Sequence, residues 1–345
     1  MPNSESRHES ASERILVIRF SSLGDILLTA LAIRCLRSHV PHARIDLLVA
    51  AEYADAAEMI PGVDAVLTLD RRQGLAGLRR LRAQLHGRYA VVIDLQNSLR
   101  SAVLRASLGA PTQTKAKRYR FRRWLLVALK WNTYAEIRPV PLRYLAAMQE
   151  LGVRDDLKGL ELQVPSSATL WAAHWWQSCA GDGRKVIMLC PGARHFTKRW
   201  PHERWIDAAR TLSARGFALI VVGTESELAV AQAISAAVPG TPYLTDRPIP
   251  DIAALMRQCS AVVSNDSGLM HVATGVGTPV AAIFGPTVEE FGFYPFRGRS
   301  AVLSHDLPCR PCSAMGGPRC PQKHFHCMLN TLPDMVESAV EHLVS

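Results

Sequence analysis

Two stretches far apart in the chain follow one plan, and together they narrow the fold class. Residues 261–287 begin with an apolar run (261–263), then a small polar loop, Ser264-Asn265-Asp266-Ser267-Gly268. A short helical run (269–273) and a second apolar strand (280–284) follow. Residues 15–40 repeat the plan: a strand (ILVIRF, 15–20), the loop Ser21-Ser22-Leu23-Gly24-Asp25, and an apolar-periodic helix expected from Ile26 to about Val40. Strand, small-residue loop and helix in that order is the grammar of an open α/β sheet. Each loop falls at a strand's carboxyl end and a helix start, where such sheets hold ligands and where free N–H groups and the helix dipole attract anions.

The alternation extends through both halves. Strands are expected at 45–49, 65–69 and 91–95, then at 186–190, 218–222, 261–263 and 280–284. Helices are expected near 53–59, 75–85, 99–108, 142–151, 168–179, 203–214, 225–237, 251–258 and 332–344. Strands alternating with helices imply parallel βαβ units. A weakly patterned stretch at 155–167, with Gly159 and Pro165, reads as a linker. The expected organisation is a disordered lead-in (1–13), an N-terminal domain (14–165), a C-terminal domain (166–331) and a terminal helix (332–345). Two doubly wound, Rossmann-like halves facing one cleft suit an enzyme that joins two substrates while excluding water.

Charge divides the chain sharply. Residues 1–160 hold 25 Lys and Arg against 15 Asp and Glu, while 161–345 hold 15 of each, so the whole net charge of +10 sits in the first half. An anionic partner should meet that half. The sharpest run is KAKRYRFRR (115–123), six of nine basic, followed by apolar residues 124–129. It reads either as the solvated face of a helix or as a docking patch for a phosphorylated or carboxylated partner at a membrane surface. No uncharged apolar run approaches the roughly 20 residues of a membrane span. The polar N-terminus lacks the core of a signal peptide, so the cytoplasm is the expected compartment.

Several residues carry candidate chemistry. Asp25 either caps the helix expected to begin at Ile26 or acts as a general base toward an acceptor hydroxyl. Residues 191–201 (PGARHFTKRWP) form a loop after a strand, where Lys198 would neutralise charge on a leaving diphosphate. Asp266, Ser267 and Gly268 form the other half of that anion cradle, and His271 on the next helix is a structural histidine or a donor to a phosphate or sugar oxygen. In GTESE (223–227), a carboxylate is placed to bond ribose hydroxyls or to complement the helix dipole. Cys309, Cys312, Cys320 and Cys327, with His305, His324 and His326 nearby, admit a structural tetrahedral zinc, against reduced thiols closing a loop. Neither GxxxxGK[ST] nor a GxGxxG after the first strand is present, which argues against NTPase and dinucleotide-oxidoreductase chemistry.

RFSSLGDILLT (19–29), VIDLQNSLRS (92–101), PGARHFTKRWP (191–201) and SNDSGLMHVATGVGTPVAAIFGPT (264–287) resemble, in order, the motifs of glycosyltransferase family 9, the heptosyltransferases of the lipopolysaccharide inner core. The resemblance covers roughly residues 14–345. It implies a GT-B architecture and inverting transfer of L-glycero-D-manno-heptose from ADP-heptose to Kdo-lipid A or a heptosylated core, with neither cofactor nor metal. It implies Asp25 as the base, and Lys198, Asp266, Ser267, Gly268 and His271 at the donor. A ribose-binding carboxylate falls on Glu227, with Glu225 as the rival. The anionic glycolipid acceptor at the cytoplasmic face of the inner membrane would meet Ser22, Lys115, Lys117, Arg118 and Arg120. The chain departs from some members at Ala193-Arg194, where they carry consecutive hydroxyl residues, and its four-cysteine loop occurs in only part of the family. The competing expectations are a family 9 enzyme with another donor or acceptor, a basic nucleic-acid-binding protein using 115–123, and a catalytically inactive sugar-binding module.

Overall fold

The first strand, β1 (Arg14–Ile18), lies in the middle of a five-stranded parallel sheet with β2 (Arg44–Ala50), β3 (Ala65–Leu69), β4 (Val91–Asp94) and β5 (Thr112–Lys115), in the order β3-β2-β1-β4-β5. This is a computed structural model that describes residues 14–179 and 183–345, without the Cys179 side chain. The expected lead-in at 1–13 lies outside the described residues. The second sheet repeats the winding with six strands: β6 (Val186–Cys190), β7 (Ala218–Gly223), β8 (Tyr243–Thr245), β9 (Ala261–Asn265), β10 (Val280–Ile283) and β11 (Ser300–Leu303). Their order is β11-β10-β9-β6-β7-β8, parallel throughout. Each sheet starts at its centre, winds to one edge, and returns to wind the other way. The chain therefore reverses direction between β1 and β4, and again between β6 and β9, the crevices where doubly wound sheets bind ligands.

The central strands are built on apolar runs because parallel strands are covered on both faces. All five residues of β6 and of β9 are buried. The three strands that the pattern did not announce, β5 (TQTK), β8 (YLT) and β11 (SAVL), all lie at sheet edges, and none of them contains a run of buried apolar residues. In the first sheet, Leu16, Ile18, Leu48 and Val92 pack with Leu81 and Leu104 from flanking helices. In the second, Trp200 and Trp205 meet edge to face with centroids 5.2 Å apart, an arrangement aromatic rings favour, within the core of Ile187, Leu189, Val263 and Ile283.

Two expectations are corrected here. The helix expected from Ile26 to Val40 is two helices, Leu23–Leu27 and Ala30–His39. At the break the Thr29 hydroxyl donates back to the Ile26 carbonyl at 2.6 Å. The division of the chain also falls elsewhere than at 165. One compact unit takes the described residues up to Arg118 together with Leu142–Asp156; the other takes Tyr119–Pro141 and Leu157–Ser345. The excursion at 119–141 is held in the second unit by Val140 N–H donating to the Gly292 carbonyl (2.9 Å) and by the Arg123 guanidinium over the Phe291 ring (5.0 Å). Leu162 N–H donates to the Gly275 carbonyl at 2.8 Å, within the part of the expected linker, from Leu157 on, that belongs to the second unit. The terminal helix, Pro333–Val344, is part of that unit, with Val336, Val340 and Leu343 in its core.

Candidate active site

In the first unit the chain leaves β1 at Arg19 and turns through Ser21 and Ser22 into the helix Leu23–Leu27. Ser22 is the N-cap and Asp25 the third helical residue, so Asp25 closes a capping box instead of capping a helix that begins at Ile26. Its Oδ2 accepts from the Ser22 N–H (3.2 Å) and hydroxyl (2.9 Å). Its Oδ1 lies 2.7 Å from the Arg19 guanidinium and accepts from the Tyr144 hydroxyl at 3.1 Å. Arg19 also donates to the Leu95 carbonyl (2.7 Å), and Ser21 N–H donates to the Gln96 side chain (3.3 Å). The loop after β1 is thus tied to the loop after β4, and Asp25 stands at the reversal point of its sheet.

Burial disfavours the charged form of Asp25. The Arg19 charge, the two Ser22 donors and the Tyr144 hydroxyl outweigh it, and hold the carboxyl below the usual aspartate range. Burial and the Asp25 carboxylate, against the opposing Arg19 charge, push the Tyr144 phenol well up, so it is a donor at any ordinary pH. A carboxylate offers about four acceptor positions, and all four here are filled. A substrate hydroxyl that gives its proton to Asp25 must therefore displace one of these donors. Nearby, burial raises the carboxyl of Asp94, and its Oδ1 accepts the Asn97 N–H at 2.7 Å in the turn that carries Gln96.

In the second unit the loops after β6 and β9 meet. Asn265, fully buried, donates to the Pro191 carbonyl (2.7 Å) and accepts from the Trp200 N–H (3.2 Å), clamping both ends of loop 191–200. Within that loop Lys198 Nζ lies 2.6 Å from Asp266 Oδ2, which also accepts from the Thr287 hydroxyl at 2.7 Å. Ser267 is the N-cap of the helix Gly268–Gly275, yet its side chain makes no capping bond; its hydroxyl lies 3.3 Å from that of Ser264. The first-turn N–H groups therefore receive no bond from that hydroxyl, and free N–H groups at a helix start attract anions. His271 is buried within this helix. Burial lowers the pKa of His195, and the charges of Lys198 and Arg194 lower it further.

Glu227 and Glu225 part company. Glu225 is exposed, whereas Glu227 is buried and accepts from the Thr224 N–H (3.0 Å), the Thr224 hydroxyl (2.8 Å) and the Ser226 hydroxyl (2.6 Å). Two glycines make room for it. A Cβ on Gly192 would fall 3.0 Å from Glu227 Oε2, and one on Gly223 would fall 2.8 Å from its Cβ. Glu227 also completes a capping box with Thr224, so the helix-start role falls on Glu227.

Lys115, Lys117, Arg118 and Arg120 are exposed, the first three in the first unit and Arg120 in the second. Cys309, Cys312, Cys320 and Cys327 are free thiols. Burial pushes Cys327 up to about 11, and burial with the neighbouring cysteines raises Cys312. Among the described residues no three His, Cys, Asp or Glu side chains are gathered to hold a metal. The loop has a structural part instead. Thr197 N–H donates to the Gly317 carbonyl (3.1 Å), Gly317 N–H donates to the Thr197 hydroxyl (2.8 Å), and Arg310 donates to the Thr287 carbonyl (2.6 Å). It braces both Lys198's loop and Asp266's partner.

Sequence reasoning missed Arg19, Tyr144, Thr287 and Arg310. Arg19 had a signal, as the charged residue closing an apolar strand. Tyr144 had none, since it reaches Asp25 across 119 positions of sequence.

The profile of glycosyltransferase family 9 (heptosyltransferase) matches residues 78–321. Lipopolysaccharide heptosyltransferase 2 of Escherichia coli K12 is 27% identical over 301 residues, covering 81% of this chain and 84% of that protein. Lipopolysaccharide heptosyltransferase 1 of Pseudomonas aeruginosa is 27% identical over 322 residues, covering 87% and 86%. The fold is shared with a family 9 glycosyltransferase of Veillonella parvula (TM-score 0.79, 24% identity, 96% and 97% covered). It is also shared with E. coli ADP-heptose lps heptosyltransferase II (TM-score 0.73, 24% identity, 96% and 98% covered). Two doubly wound GT-B units with these loops at their reversal points, and a profile match over more than half the sequence, lead to one conclusion: the chain belongs to glycosyltransferase family 9, the heptosyltransferases.

Proposed function

We propose that this glycosyltransferase moves L-glycero-D-manno-heptose from ADP-heptose to the lipopolysaccharide inner core, either Kdo-lipid A or an already heptosylated core, with inversion at the anomeric carbon. The observation that carries the reading is the Lys198–Asp266 pair beside the uncapped start of helix Gly268–Gly275. A fixed cation and a set of free N–H groups lie where a leaving diphosphate would gather charge. Lipopolysaccharide heptosyltransferases that align over most of the chain, those of E. coli and P. aeruginosa among them, support the choice of sugar and acceptor.

In this mechanism the second unit takes the donor, with Lys198, Ser267 and the Gly268 N–H on the diphosphate and Glu227 on the ribose hydroxyls. Asp266, itself negative, holds Lys198 in place and keeps away from the phosphates. The first unit supplies Asp25. An acceptor hydroxyl gives its proton to Asp25 as its oxygen bonds to the anomeric carbon from the face opposite the diphosphate. The bond from that carbon to the diphosphate breaks through an oxocarbenium-like state, and ADP leaves. Lys198 and the helix start supply the charge stabilisation that the departing group needs, so the proposal calls on neither metal nor cofactor.

Acceptors of this kind are held in a bilayer, which puts the protein at the cytoplasmic face of the inner membrane as a peripheral enzyme. No helix among the described residues is long and apolar enough to cross a membrane. The test is ADP release from ADP-heptose and from other nucleotide sugars, with Kdo-lipid A or its heptosylated form as acceptor. Turnover confined to ADP-heptose is expected. Preference for another nucleotide sugar would keep the family and overturn the donor.

A further inference from the structure

The helix Arg120–Leu129 turns its large apolar side chains the wrong way for a buried element. Leu125 and Leu126 face the protein, while Phe121 (69% exposed), Trp124 (55%) and Leu129 (57%), with Trp131 (63%) just beyond, face out. The Phe121 and Trp124 rings lie 6.0 Å apart at 20°, so two of them form one stacked platform. This face is firmly mounted. Arg123 packs over the rings of Phe291 (5.0 Å) and Phe293 (5.9 Å), and Lys130 donates to the carbonyls of Cys309 (2.9 Å) and Pro311 (2.6 Å).

Charge says what the platform fits. From residue 95 to 135 the chain carries nine Lys and Arg and no Asp or Glu, and Arg120 and Arg122 flank the exposed rings. Aromatic rings set among arginines suit the boundary between acyl chains and anionic headgroups: the rings enter the apolar layer and the guanidinium groups stay with the phosphates. We infer that the Phe121–Trp124 face, with Trp131, is the surface by which this protein docks on an anionic lipid bilayer. The inference takes up the peripheral placement proposed above and gives it a location. It does not depend on the reaction, because docking requires neither donor nor acceptor.

The test is sedimentation of the full chain with vesicles of phosphatidylcholine alone, or with about one-third phosphatidylglycerol, a content that gives the surface a negative potential. Binding to the anionic vesicles at least about tenfold tighter than to the neutral ones is expected, weakening as salt rises. The double substitution Phe121→Ser, Trp124→Ser should lower binding by about tenfold or more, since it removes two side chains that would leave water. Arg120→Gln and Arg122→Gln should each lower it by about fivefold. ADP release with a water-soluble acceptor analogue should be unchanged in the aromatic double variant, so loss of docking and loss of transferase activity are separable. Failure to bind anionic vesicles, or full binding by the aromatic double variant, overturns the inference. So does binding to a single-stranded oligonucleotide at the vesicles' affinity, since that marks a general polyanion patch.

Discussion

Lys198 Nζ and Asp266 Oδ2 lie 2.6 Å apart, with the two side chains only 15% and 7% exposed. Asp266 holds the Lys198 ammonium where the donor's diphosphate is expected and keeps the lysine from swinging into solvent. Lys198→Met removes the charge that stabilises the leaving group and leaves Asp266 buried with Thr287 alone. Turnover should fall by about 10²–10³-fold. Stability should fall by about 3 kcal/mol, because the remaining carboxylate is uncompensated. Steady-state kinetics together with a denaturant titration measures both. Unaltered turnover would move the diphosphate elsewhere.

The room made for Glu227 gives a second handle on the donor. Gly192→Ala puts a Cβ 3.0 Å from Glu227 Oε2, and the carboxylate must shift by a few tenths of an ångström. If Glu227 holds the ribose, the substitution should raise the donor KM by about tenfold, the cost of one hydrogen bond to a charged group, with kcat little changed. Glu227→Gln should act in the same direction. A donor KM unmoved by both would take Glu227 out of the site and leave it as a helix cap.

The environment of Asp25 fixes the direction of its pH dependence. A carboxyl held below its ordinary value is ionised throughout the neutral range, and the stability it lends is present above its unfolded value and lost only as pH falls through the lower folded one. The acid limb of kcat/KM, which reports the free enzyme, should accordingly lie below the ordinary aspartate range if Asp25 is the base. Tyr144→Phe removes one donor from Oδ1 and should carry that limb upward in pH while the chain stays folded. A limb that does not respond to Tyr144→Phe would belong to another group.

The two-sheet fold was legible because β6 and β10 are apolar throughout and β1, β2 and β9 each contain an apolar run (ILVI, LLVA and AVV), as strands covered on both faces require. The edge strands β5, β8 and β11 are not so constrained, and nothing in TQTK or YLT marks them. The unit boundary was hidden for a related reason: what draws residues 119–141 to the second unit is a backbone bond to Gly292 and a guanidinium over Phe291, contacts that span well over a hundred positions. At the site, Asp25, Lys198 and the 264–268 loop stood out as small or charged residues where apolar strands end. The partners that set their geometry, Tyr144 and Thr287, are ordinary in sequence and become informative only through distance.

The central claim is that Asp25 takes the acceptor's proton, and the most direct test is Asp25→Asn. The amide preserves shape and an acceptor for the Ser22 N–H while removing the base. Turnover of ADP-heptose with the lipid acceptor should be compared with wild type, alongside ADP affinity and thermal unfolding on the same preparations. Asp25→Asn should stay folded, bind ADP as wild type does and turn over about 10²–10⁴-fold more slowly. Wild-type turnover by Asp25→Asn would contradict that claim and leave Asp25 with the capping role alone.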